Sequence, residues 1–214
     1  MILVEVASPS GALAAGDRAA FARAVCDVLV GAEEGVAEET MRRARAMTHV
    51  GFRELATWTT GDGPWKPGRT PPLWITLTVP EQWREEMSRT VIGLVRRGVR
   101  RLDRSHGWER ADSSLWINVT GISNGSIGLG GKAQAADDVV AYMTAEFRAR
   151  HEPSQSPDLP DGVVIDPMCG MQVRLDVGTF TLEHDGRSLG FCAAACRAAY
   201  AREHGLSLRP ADNT

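Results

Sequence analysis

Leu73-Trp74-Ile75-Thr76-Leu77-Thr78-Val79-Pro80, followed at once by Glu81–Arg104, is where the chain starts its pattern a second time. The first run reads as a strand closed by proline. Glu81–Arg104 carries Met87, Val91, Leu94, Val95, Val99 and Leu102 at the spacing of a long amphipathic helix, and its arginines form a solvated face. Ser114–Thr120 is a further strand. Upstream, Met1–Val6 opens as a nearly all-apolar strand and Ala7–Gly11 reads as a loop. Ala20, Phe21, Ala24, Val25, Val28 and Leu29 then mark a helix from about Asp17 to Val30, with Asp17 as N-cap. A polar helical continuation over Ala32–Ala46 leads to a strand at His49–Leu55. Strand–helix–strand thus occurs twice, at a spacing of about seventy residues. Each crossover helix permits parallel pairing, and both helices can cover one face of a single sheet. The strands read as apolar on both sides, so the other face is expected to be buried too, in part by partner subunits.

Gly61–Pro72, between the repeats, is rich in breakers and is expected to be an exposed loop. Asn124–Gly131 is a glycine-rich turn region. No Gly-Lys-Ser/Thr follows it, so it is not a phosphate loop. A last helix fits Ala135–Arg150. His151–Gly162 is a proline-containing linker and divides the chain into residues 1–150, the linker 151–162 and a small domain, 163–214. A domain so small gains from a structural metal.

With 43% hydrophobic and 24% charged residues, the 214-residue chain can bury a core. A net charge of −3 gives no pull toward nucleic acid or an anionic membrane. No stretch approaches the ~20 apolar residues of a membrane helix. The N-terminus shows no basic region followed by an apolar one, so a cytoplasmic protein is expected. Four cysteines in such a chain point to thiols or metal ligands and away from disulfides.

Three of them, Cys169, Cys192 and Cys196, are spaced C-x22-C-x3-C. On a helix Cys192 and Cys196 would project from one face, their Cβ atoms ~6 Å apart. Asp185-Gly186 reads as a hairpin turn between Gly178–His184 and Arg187–Phe191, which would return the chain toward Cys169. Buried cysteines acting as small hydrophobes, or a redox dithiol of Cys192 and Cys196, are the competing readings. Three converging thiolates beside a sharp turn favour a soft-metal site. His184, beside the turn, is either its fourth ligand or an exposed hairpin residue. Met168 and Met171 are thioethers that suit Cu(I) or simply pack. Cys26 is assigned to the core, His49 to a structural role, His106 to a helix end, and the six tryptophans to core and interface packing.

Asp166-Pro167-Met168-Cys169-Gly170-Met171, with the run His184–Tyr200 around Cys192 and Cys196, resembles the YHS domain of the TRASH group over Val163 to Gly205. The resemblance implies heavy-metal binding or sensing. Leu189-Gly190 departs from it, because the family usually shows an aromatic pair there. Residues 1–145 resemble the two-repeat form of the tautomerase superfamily, which includes macrophage migration inhibitory factor. The carriers are Leu3–Val6, Asp17-Arg18 with Phe21–Val25, Thr48–Glu54, Val79-Pro80 and Trp116–Gly131. This resemblance implies a homotrimer. The family's catalytic N-terminal proline is missing, since residue 2 is Ile2, and Pro71 and Pro72 are amides inside the chain. Only the amine of Met1, with a pKa near ~8, remains as a weak base.

The sequence therefore leads us to expect an α+β protein. A two-repeat tautomerase-like domain has its helices on one face of a sheet, and a small hairpin-plus-helix metal-binding domain follows. The expected function is binding of copper or zinc through Cys169, Cys192, Cys196 and His184, for metal handling or sensing, with a metal-handling partner protein. The alternative is a tautomerase-superfamily enzyme with a non-proline base and a structural metal. No catalytic residue is assigned.

Overall fold

The structure, a computed structural model, describes residues 2–31, 35–150, 159–176 and 178–208. In chain order its elements are β1 (Ile2–Pro9), α1 (Ala15–Val30), α2 (Glu38–Ala46), β2 (Thr48–Leu55), β3 (Thr59–Thr60), β4 (Gly63–Pro64), β5 (Leu73–Pro80), α3 (Glu81–His106) and β6 (Leu115–Ile122). There follow β7 (Ile127–Leu129), β8 (Lys132–Gln134), α4 (Ala136–Arg150), β9 (Val163–Ile165), β10 (Gln172–Arg174), β11 (Phe180–His184), β12 (Arg187–Phe191) and α5 (Ala194–Glu203). Among the described residues, no helix is long and apolar enough to cross a membrane.

By packing, the chain forms two units, Met1–Gly31 with Ala46–Ile122 and Ala32–Arg45 with Ser123–Thr214. This division groups α4 and most of α2 with the C-terminal segment, whereas the sequence boundaries fall at 150 and 163. Most of the expected linker, residues 151–158, lies outside the described residues, as does Met1 with its amine.

The first unit is a mixed α+β layer structure. Its sheet runs β2-β1-β5-β6, with β1 and β5 antiparallel at the centre and β2 and β6 parallel to their inner neighbours. Each parallel pair closes one β-α-β repeat. Val4 lies opposite Leu77 and Val6 opposite Ile75, and these side chains are sealed under α1 and α3 by Phe21, Val25, Val91, Val95, Val99 and Leu102. Both helices thus cover one face, as the repeat predicts. β1 continues through Ala7, Ser8 and Pro9, expected as loop, because it pairs with β2 as far as Pro9 and Leu55. Asp17 sits inside α1 instead of capping it from outside, and its Oδ2 accepts the backbone N–H of Ala14 at 3.0 Å. His106 does end α3, where Gly107 takes the left-handed conformation (φ 64°).

The second sheet face is open within the single chain. Exposed Leu3, Glu5, Trp74 and Trp116 alternate along the strands with the buried row, and three of these four side chains are apolar. Gly61–Pro72 is also more ordered than a plain loop: it supplies the turn and second strand of the β3–β4 hairpin and ends in buried Pro71 and Pro72.

In the second unit, three short hairpins and α5 assemble with α4 and α2. Arg148 of α4 grips both carboxylate oxygens of Glu203 at 2.7 and 2.6 Å, and Arg202 of α5 reaches Asp137 and Asp138. On α2, Glu39 pairs with Arg150 of α4 at 3.0 Å. The β11–β12 turn forms where expected, and Asp185 and Gly186 both adopt positive φ (51° and 71°).

Candidate metal centre

Asp166–Gly170 forms the loop between β9 and β10, folded back on itself. The N–H of Asp166 donates to Met171 O at 2.8 Å, and the N–H of Gly170 donates to Asp166 O at 2.9 Å. The second segment arrives from β12, which delivers Cys192 just ahead of α5. Ala193 caps that helix, so Cys192 lies at the strand–helix junction and only Cys196 is on the helix. The expected one-face helical pair is therefore a junction pair. The sulfurs meet all the same: Cys192 Sγ is 3.4 Å from Cys169 Sγ and 3.7 Å from Cys196 Sγ.

Asp166 organises the site. Its Oδ1 accepts the N–H groups of Met168 (2.8 Å) and Cys169 (3.3 Å), and its Oδ2 accepts the N–H of Cys192 (2.9 Å). One carboxylate thus ties both cysteine-bearing segments together from a fully buried position. A second clamp comes from far along the chain, where Thr40 of α2 donates its hydroxyl to Cys169 O at 2.8 Å. Gly170 is needed here twice over. Its φ is +79°, and a Cβ would lie 2.5 Å from Ala37 Cβ and Phe147 Cε2.

Among the described residues, Asp166, Cys169, Cys192 and Cys196 form the group whose ligand atoms all lie within 4.8 Å of one another. His184 is not a member. Its Nδ1 is 2.9 Å from the Tyr200 hydroxyl, and its ring lies 5.0 Å, centroid to centroid, from that of His204. Asp166 stands where the sequence offered His184. Its signal was present in the Asp-Pro-Met-Cys spacing, while nothing local marks Thr40. Met168 is buried, Cys26 is half-buried and His49 is exposed on the open sheet face.

The electrostatics are those of a site short of positive charge. Hydrogen bonds from Cys169 and Cys196 pull the Cys192 thiol down to about 4. The same bonds, with burial, hold Cys169 and Cys196 well above the ordinary thiol value. Burial first, and then the Cys192 thiolate beside it, push Asp166 up to about 7. A buried thiolate next to a carboxyl is a costly arrangement that a cation relieves. The donor set fits such an ion. Three sulfurs suit a soft monovalent ion such as Cu(I), and addition of one Asp166 oxygen gives a four-donor set suited to Zn(II).

No family model matches the chain, and no curated protein matches it. Solved structures similar to it include Pt0534 inactivated by 2-oxo-3-pentynoate, at 16% identity over 62% of this chain and 95% of that one, with a TM-score of 0.46. Native fused 4-OT is similar at 16% identity over 61% of this chain and 94% of that one, TM-score 0.44. Macrophage migration inhibitory factor of Toxoplasma gondii is similar at 13% identity over 61% and 98%, TM-score 0.39.

Proposed function

We propose that the protein binds a copper or zinc ion through Cys169, Cys192 and Cys196 and serves metal handling or sensing. The observation that carries this reading is the convergence of three sulfurs and the Asp166 carboxylate within 4.8 Å. The YHS-like spacing of the same cysteines supports it. Asp166 acts mainly by position, because its oxygens already hold the backbone of both ligand segments. The first unit serves as an oligomerising core. A homotrimer is the assembly we propose, on the resemblance in sequence and on β2 and β6 as outer strands of the sheet. Light scattering of three 23.2 kDa chains would read roughly 70 kDa.

Elemental analysis of protein purified without added metal tests the ion, beside a Cys169/Cys192/Cys196→Ser variant. About one ion per chain in the parent and none in the variant is the expected result, and it names the metal. If neither protein holds an ion after anaerobic reconstitution with Cu(I) and Zn(II), the metal reading fails. Sulfurs 3.4 and 3.7 Å apart would then be examined as a redox set, by mass-spectrometric counting of disulfides.

A further inference from the structure

A cleft of about 590 Å³ opens in the first unit, independent of the cysteine site. Its walls include Trp58, Trp74 and Trp116, with Asp62, Ser113 and Ser114 at its polar edge. Trp74 and Trp116 are register partners on the parallel strands β5 and β6, so their side chains rise beside each other from the open sheet face. They are 48% and 67% exposed, a large aromatic surface left uncovered within the chain. Trp74 is also held in place. Its Nε1 donates to Asn118 Oδ1 at 2.9 Å, and the Thr76 hydroxyl donates to the same oxygen at 3.2 Å. Opposite them, the β3–β4 hairpin follows Trp58 and carries Asp62 in its turn, where the Asp62 N–H donates to Thr60 Oγ1 at 3.3 Å.

We infer that this cleft binds a small organic cation of the quaternary ammonium class. Indole faces are the strongest aromatic partners for a cation, and several of them around one space replace its hydration without needing hydrogen-bond donors. Asp62 is the one charged group among the described residues that line the cleft, and its sign attracts a cation and repels a carboxylate or phosphate. A primary ammonium would call for three acceptors in fixed directions. Here the walls are mostly apolar, which favours an ammonium sheathed in methyl groups. The volume lies in the range of small-molecule sites.

Choline and its neutral isostere 3,3-dimethyl-1-butanol separate charge from shape. Each would be titrated into the full-length protein, with binding followed by calorimetry and by the ring-current shift of the ligand's methyl resonance. Choline is expected to bind at least about tenfold tighter than the alcohol. Trp116→Leu, at an exposed position, should leave the circular dichroism spectrum intact and remove most of that preference. Asp62→Asn should weaken choline about threefold or more while leaving the alcohol unchanged. Equal affinity for the two ligands would reduce the cleft to a plain apolar groove and overturn the inference. Binding of neither would overturn it as well, including the case in which a second copy of the chain covers the tryptophans.

Discussion

Asp166 and Cys192 show how far single residues set the character of the site. An Asp166→Asn change keeps the size but replaces one acceptor oxygen by a donor, so a buried N–H of Met168 and Cys169, or of Cys192, loses its partner. The expected cost is about 1–3 kcal/mol in thermal unfolding, with ion retention falling alongside it in a chelator competition. Cys192 governs the metal-free protein's response to pH. From about pH 4 to the ordinary thiol value of 9.0, its folded form has lost a proton that the unfolded form keeps, so it contributes stability that grows with pH. Asp166, raised to about 7, keeps a proton that its unfolded form loses, and opposes that gain up to about pH 7. The net stabilisation is therefore expected to grow between pH 7 and 9, where only Cys192 differs in protonation between the folded and unfolded forms. Urea unfolding of the reduced, metal-free protein would show it, and a Cys192→Ser variant should lose the slope.

At the level of elements, the loop between β9 and β10 depends on close packing from α2 and α4. Gly170 and Gly131 make a matched pair, since both have positive φ (79° and 76°). Only at Gly170 would a Cβ meet other atoms, whereas nothing lies within 4 Å at Gly131. Alanine at Gly131 should cost about 1 kcal/mol of backbone strain. Alanine at Gly170 should cost that plus about 1–3 kcal/mol of overpacking, with a matching loss of bound ion. Equal melting temperatures for the two variants would contradict the packing seen around the loop. This dependence also marks what the sequence could disclose. β5, α3 and the Asp185-Gly186 turn were legible because period 2, period 3.6 and the demand for positive φ leave local signatures. The meeting of the three cysteines was legible from spacing and a hairpin. The hydroxyl of Thr40 on Cys169 O spans 129 positions and leaves no local trace. His184 drew attention by nearness in sequence, yet in the fold it turns to Tyr200. Trp74 and Trp116, assigned from sequence to core and interface packing, are exposed in the single chain, because hydropathy cannot tell an aromatic buried in a core from one on an open face.

At the scale of the whole molecule, the cysteine cluster draws on more of the chain than its own segment. Sequence composition puts the boundary at 163, which would make residues 163–214 self-sufficient. Packing instead joins Ala32–Arg45 and Ser123–Arg150 to that segment. A fragment of residues 163–214 would lack the Thr40 hydroxyl on Cys169 O, the Ala37 and Phe147 contacts around Gly170, and the Arg148, Asp137 and Asp138 partners of α5. It would keep Asp166 and all three sulfurs. A domain of about fifty residues has little core to spare, and binding free energy must then supply the folding. The fragment is therefore expected to be unfolded without metal and to hold its ion at least about tenfold more weakly than the full chain in the same chelator competition. Equal retention would place the working boundary at 163 and leave α2 and α4 without a role in the site. Weaker retention, restored in the full chain, would mean that the distant segments preorganise the three sulfurs before the ion arrives.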